Sequence, residues 1–275
     1  IHNRPLMYNY IKNYIKAKYI LYFHNDPISM NGSKTAKERL NLITSIDKII
    51  FVSEWVRNRF FINIENKFLN KTEIVYPSID VPQKISNKKK KIVFVGKLNE
   101  SKGYDLYKDA INKILNEFNN WKAYSIGDEN RRKHYITHKN HYELGLLEHK
   151  KVLNFFNNSE IAVVPSRWEE PFGRTALEAS SRACAPIISN RGVLPETTDA
   201  GFILKKLNSN ELYKSIKFLI LNNKFRKKIQ INGLNNIKHI TKNNSKKIDQ
   251  IRTSLVYKFN LNYVKNNLRI LNIYN

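Results

Sequence analysis

Short runs of β-branched residues alternate along this chain with polar stretches in which apolar positions recur every three or four residues. The first pattern suits a strand buried on both faces, and the second gives a helix one apolar stripe to lay against it. Their alternation predicts βαβ units and a parallel sheet. Strands are expected over 92–95, 123–126, 161–164 and 187–189, with helices over 104–118, 150–156, 175–183 and 211–221. Upstream, 19–23 and 48–52 predict two more strands, separated by a polar segment containing Asn31-Gly32 and a helix over 34–42. Between the two sets stand Tyr76-Pro77-Ser78, Val81-Pro82 and the charge run 88–91, and proline with like charges discourages compact structure. The expected organisation is a domain over 1–86, a second over 87–250 and a basic helical tail over 251–275.

Composition narrows the class. The 275 residues suffice for two domains, and 41% hydrophobic with 12% aromatic residues exclude wholesale disorder. A single cysteine, Cys184, excludes an internal disulfide, and no Cys/His cluster offers the ligands of a structural zinc module, so a reducing compartment is expected. Apolar runs such as 49–52 and 161–164 fall far short of the ~20 residues that cross a bilayer. No basic-then-apolar leader opens the chain, which starts at Ile1 instead of methionine, so an incomplete N-terminal part is expected. Lys+Arg outnumber Asp+Glu by 48 to 23, a net charge of +25 that suits an anionic partner: nucleic acid, an acidic membrane surface or phosphate-bearing substrates. An A/T-rich coding bias yields the same mixture of Lys, Asn and Ile.

The chemistry concentrates in Val164-Pro165-Ser166-Arg167-Trp168-Glu169-Glu170-Pro171-Phe172-Gly173-Arg174-Thr175-Ala176-Leu177-Glu178-Ala179. A strand ends, a loop turns and a helix begins near Thr175, which puts the loop at the carboxyl edge of the sheet where α/β proteins bind ligands. First-turn amides without intrahelical partners offer an anion site there, flanked by Glu170 and Glu178 as acceptors for hydroxyl groups. Thr175-x-x-Glu178 also reads as a capping box, which would give Glu178 a purely structural role.

The spacing Glu170-Pro-Phe-Gly-(x4)-Glu178 resembles the E-x7-E motif of family 4 retaining glycosyltransferases, enzymes of the GT-B fold. Further matches follow in the family's order: Phe94-Val95-Gly96-Lys97-Leu98 with Lys102-Gly103, Ile126-Gly127-Asp128, Leu144-Gly145, and Gly192 with Leu194-Pro195-Glu196. The resemblance is dense from Ile92 to about Leu204 and thinner through His2-Asn3-Arg4-Pro5, Tyr22-Phe23-His24-Asn25-Asp26 and Val52-Ser53-Glu54. It implies an α/β GT-B architecture: two Rossmann-like domains facing a cleft, the N-terminal, acceptor-side one partial.

By the same resemblance, Glu178 binds the nucleotide ribose and Glu170 the hydroxyls of the donor sugar. Gly96, Phe172, Gly173, Arg174 and Thr175 complete the substrate contacts. Lys97 and Lys102 neutralise the diphosphate, which needs stabilisation as charge develops on the leaving group. His24 ends a strand across the cleft, near the donor's sugar and phosphate. Lys97 departs from the arginine usual there and gives up its planar fork. Ala183 and Val193 replace usual glycines, a strain for valine if its φ is positive. No carboxylate pair is assignable as acid and nucleophile, as expected where retention proceeds by front-face attack aided by the leaving phosphate.

The implied activity is transfer of a sugar from a nucleotide-diphospho-sugar to a glycan or lipid-linked acceptor, in bacterial surface polysaccharide or lipopolysaccharide assembly. Neither cofactor nor metal is expected, the nucleotide sugar being a co-substrate. The expected location is cytoplasmic, peripheral at an anionic inner membrane face, with no specific nucleic acid. The alternatives are an inactive fragment that retains nucleotide-sugar binding, a basic nucleic-acid-binding protein and, more distantly, a GT-B epimerase.

Overall fold

The computed structural model describes residues 1–129, 136–198, 200–241, 244 and 246–256. Its internal contacts divide the chain into two units, one of Ile1–Ser78 with the described residues after Thr241, the other Ile79–Thr241.

Within the described residues, the first unit holds three parallel strands, β1 (Ile20–Phe23), β2 (Lys48–Phe51) and β3 (Thr72–Ile74), in that spatial order. Helices α1 (Pro5–Ile11), α2 (Ala36–Ser45) and α3 (Glu54–Phe61) accompany them. Thr35 and Glu38 form a capping box at the start of α2, which sets that helix slightly later than its apolar spacing predicts. Phe23, Phe51 and Phe60 are buried together with ring centroids 5.3–5.7 Å apart, locking α3 onto the sheet. Buried Arg39 spends its guanidinium on the carbonyls of Ser33, Lys34, Phe60 and Ile62, so its charge is met by oxygen at every turn.

The second unit alternates β4 (Lys89–Val95), α4 (Tyr104–Glu117), β5 (Lys122–Ile126), β6 (His141–Glu143), α5 (His149–Asn158) and β7 (Ser159–Val164). Then follow α6 (Arg174–Ser181), β8 (Ala185–Ile188), α7 (Leu194–Thr197), β9 (Phe202–Ile203), α8 (Ser209–Leu221) and α9 (Asn223–Thr241). Its described strands form one parallel sheet in the order β6-β5-β4-β7-β8-β9. Strand side chains alternate between two cores, as a sheet covered on both faces requires. Ile92, Phe94, Ile161, Val163 and Ile187 meet α4 and α8 on one side, while Val93 and Ala162, with Cys184 just ahead of β8, meet Val152, Phe156 and Ala179 of α5 and α6 on the other.

Two expected boundaries move. The division falls after Ser78, not near residue 86, because the intervening segment packs into the second unit. Ile79 is buried in a cluster with Leu177 and Ile237, Asp80 pairs with the nearly buried Arg182 at 2.6 Å, and Lys88 reaches the carbonyls of Phe156 and Asn157 at 3.0 Å. The lysine run is no linker: Lys89 opens β4, and Lys91 lies over the rings of Tyr124 and Phe155 at 4.9 and 5.5 Å. Lysine stems cover apolar surface while the ring faces meet the charge, which makes a basic run compatible with a strand. At the other end the second unit closes at Thr241, not at 250. Residues 246–256 are helical and rejoin the first unit through Lys247, whose ammonium donates to the Ile74 carbonyl at 2.8 Å. The rest of the expected tail, 257–275, lies outside the described residues.

A partly buried relay ties β6 to the sheet. The Tyr104 hydroxyl donates to Ser125 Oγ at 3.1 Å, and Ser125 Oγ lies 2.8 Å from Nε2 of His141. Burial pushes the His141 imidazole down from 6.5 to about 4. The folded chain therefore keeps His141 neutral at a pH where the unfolded chain takes up a proton. This contribution to stability is complete above pH 6.5 and is lost as pH falls through about 4. Urea midpoints measured at about pH 7 and about pH 4 should differ less in His141→Gln than in the parent chain. Equal differences would remove His141 as the cause.

Candidate functional site

The sheet order makes β4 and β7 neighbours, while β5 and β6 extend to one side and β8 and β9 to the other. The loops that leave β4 and β7 thus diverge at the carboxyl edge and open a crevice at the topological switch point. Gly96, Lys97 and Lys102 lie on the first loop, Glu170, Phe172 and Gly173 on the second, and Arg174, Thr175 and Glu178 on α6.

The two loops are fastened to one another. Asn99 caps a 3₁₀ turn over Glu100–Lys102, which ends at Gly103 with φ +71°. A Cβ on Gly103 would lie 2.0 Å from the Pro165 carbonyl oxygen, so only glycine lets the chains cross this closely. The amides of Arg167 and Trp168 donate to the Ser101 carbonyl at 2.9 and 3.0 Å, and the Arg167 guanidinium grips Asp105 at 2.6 Å. The result is an ion pair across the crevice: Lys102 Nζ donates to Glu170 Oε1 at 2.5 Å, and the Ser166 hydroxyl donates to the same oxygen at 2.9 Å. A third loop backs Glu170, with the Val193 amide donating to its carbonyl at 2.8 Å. Here the positive φ belongs to Gly192 (+58°), whose Cβ would lie 2.2 Å from the Glu170 carbonyl oxygen. Val193 has φ −80° and is unstrained, whereas Ala183, at +53°, does occupy a left-handed position.

The capping-box expectation fails. Gly173, at φ +69°, is the residue before α6, no side chain caps the helix, and Thr175 is its second residue and Glu178 its fifth. Glu178, only 6% exposed, has partners of another kind: its Oε1 accepts from Arg174 Nε at 2.6 Å and lies 2.8 Å from His149 Nε2. Phe172 packs its ring against the Ile79, Leu177 and Ile237 cluster, which anchors the loop from below.

Beside these groups lies a largely apolar cavity of about 650 Å³, lined by Gly96, Lys97, Ile126, Gly127, Asp128 and Val152 among others. It sits over the ends of β4 and β5 and the first turns of α5. Lys97 is exposed at its mouth. An apolar chamber, two lysines, outward first-turn amides and two hydroxyl-accepting carboxylates suit a ligand with a flat apolar end, a polyanionic middle and hydroxyl groups. Among the described residues no three His, Cys, Asp or Glu side chains gather as a metal ion would need.

His24 belongs to the first unit, at the end of β1. Its Nε2 lies 3.0 Å from Nδ1 of His2, its amide donates to Asn3 Oδ1 at 3.1 Å, and burial, then the charge of His2, lowers its pKa. His2, Asn3, Arg4, Asn25 and Asn31 line a polar cavity of about 610 Å³ beside it. Sequence reasoning missed His149 as a partner of Glu178, since 29 residues separate them and no motif links them. It also left Ser166 without a role, although that residue stands within the quoted string.

The model of the family described as glycosyl transferases group 1 matches residues 76–236. An uncharacterised glycosyltransferase of Methanocaldococcus jannaschii is 32% identical over 242 residues, covering 81% of this chain and 64% of that protein. An uncharacterised 41.2 kDa protein from the cps region of Klebsiella pneumoniae is 27% identical over 164 residues, covering 54% of this chain and 45% of that protein. This chain therefore spans less than two-thirds of the length of either curated relative. Among solved structures, sucrose-phosphate synthase of Thermosynechococcus elongatus superimposes with a TM-score of 0.73 at 14% identity, covering 92% of this chain and 72% of that one. HepE of Anabaena, solved in complex with UDP-glucose, gives 0.66 at 15% identity, covering 90% and 75%. These likenesses establish an α/β fold of the GT-B class, and with one family model matching more than half of its residues, the chain belongs to the group 1 glycosyltransferases.

Proposed function

We propose that the second unit binds a nucleoside-diphospho-sugar at its switch point, and that the protein is a retaining glycosyltransferase acting on a glycan or lipid-linked acceptor. The observation that carries this reading is the Lys102–Glu170 pair, set between the apolar cavity and the start of α6. A diphosphate arriving there competes with Glu170 for Lys102. Once released, the Glu170 carboxylate can accept from sugar hydroxyls, so one displacement readies both ends of the donor. Lys97, Lys102 and the first amides of α6 then meet the charge that grows on the leaving diphosphate. Glu178 takes the ribose hydroxyls, and the nucleobase enters the cavity. The polar cavity beside His24 is the proposed acceptor side.

A role in surface polysaccharide assembly is supported by the relative from the Klebsiella cps region. A lipid-linked acceptor at an anionic membrane is supported by the +25 net charge and by the absence of any acidic residue between Glu211 and Asp249. Among the described residues no helix is long and apolar enough to cross a membrane.

Calorimetric titration with UDP and GDP, followed by a donor-hydrolysis screen over nucleotide sugars, tests the donor reading. Glu178→Gln keeps the side-chain shape but loses the charge, and it should weaken nucleoside diphosphate by about tenfold or more. Equal affinity in parent and variant would deny Glu178 the ribose. Sedimentation of the same preparation with anionic but not neutral vesicles at low salt tests the membrane reading, and equal recovery with both would end it.

A further inference from the structure

Glu178 is buried, yet both groups that hold it are surface side chains: His149 is 56% and Arg174 58% exposed. Both meet the same oxygen, Oε1, and among the described residues Oε2 receives no hydrogen bond. Oε2 is not among the buried side-chain atoms that lack a partner, so it stays open to solvent and can accept from an arriving hydroxyl group.

The two holders do different things. Arg174 stands one turn before Glu178 on α6, so that contact ties the carboxylate only to its own helix. His149 is the first residue of α5, and Val152, one turn further along the same face, lines the apolar cavity. The His149 contact is thus the one that fixes the carboxylate relative to the cavity wall. Either an Nε2–H neutral imidazole or an imidazolium can donate here, so the contact needs no change of charge.

We infer that His149 is a positioning residue for the nucleotide: by holding Oε1 it turns Oε2 toward the ribose diol and makes the site discriminate ribose from deoxyribose. This deepens the donor-site reading and rests on it. His149 itself touches neither sugar nor phosphate. Its effect should therefore appear only with ligands that present the diol, which a merely structural tie between α5 and α6 would not produce.

The experiment is a titration of the full chain, of His149→Ala and of His149→Gln with UDP, GDP and their 2′,3′-dideoxy counterparts. Melting midpoints of all three proteins are measured alongside. The parent chain should favour the ribonucleotide. His149→Ala should weaken the ribonucleotide about tenfold while leaving the dideoxy form within about twofold, since only the former uses the oriented carboxylate. His149→Gln, whose amide nitrogen still donates, should keep most of the preference. Equal losses for both forms, or an unchanged ratio, would overturn the positioning role while leaving the donor site intact. Failure of the parent chain to bind any of the diphosphates would instead overturn the donor reading, and this inference with it.

Discussion

Gly103→Ala should destabilise the second unit by about 2–5 kcal/mol, a large part of the ~5–15 kcal/mol that holds a typical domain together. The new methyl group would sit 2.0 Å from the Pro165 carbonyl oxygen, on a residue whose φ is already +71°. Relief requires that the loop after β7 move away from the loop after β4, and that separation also parts Lys102 from Glu170. Gly145→Ala is the control, since Gly145 has a similar φ of +65° but nothing within 4 Å of an added Cβ. There only the left-handed penalty applies, about 1–2 kcal/mol. Urea unfolding in a Trp55→Phe background, which leaves Trp121 and Trp168 of the second unit as the reporting tryptophans, measures the costs, and equal costs at the two glycines would refute the close crossing as the source.

Lys102→Ala should weaken nucleoside diphosphate by about 1.5–3 kcal/mol, roughly tenfold to a hundredfold, while leaving nucleoside affinity unaltered. The ion pair adds a second expectation of opposite sign. Glu170→Gln frees Lys102 from its 2.5 Å partner, so the diphosphate should bind as tightly as before or more tightly. Transfer or hydrolysis of the sugar should nonetheless collapse in that variant, because the acceptor for the sugar hydroxyls has lost its charge. A parallel loss of affinity in both variants would mean that the pair is only a clasp between loops, with no exchange of partners on ligand arrival.

The parts of this architecture that sequence made legible are those where one local pattern decides the outcome. β4, β7 and β8 carry buried β-branched residues, and they and β5 appear within a few residues of their expected positions. β3, β6 and β9 are two or three residues long and carry no such run, so pairing with a neighbour decides them and period does not. α6 begins within one residue of its expected start, but Thr175 does not cap it, because Gly173, two residues ahead, supplies the turn through a positive φ that composition does not display. Within the site, the E-x7-E string was visible because its two glutamates sit on one loop-helix segment. The Lys102–Glu170 contact spans 68 residues and the His149–Glu178 contact 29, and neither exists until the sheet brings the strand ends together.

The cluster of Ile79, Leu177 and Ile237 has a consequence for how such a protein can be inherited. Ile79 is where the chain enters the second unit, and Ile237 lies one turn of α9 before it leaves. Entry and exit are therefore neighbours, the condition under which a folded module can be spliced into, or out of, a host chain without stretching either end. Recombination could exchange the whole parallel sheet and its crevice as a single block, leaving the surrounding host chain to diverge on its own.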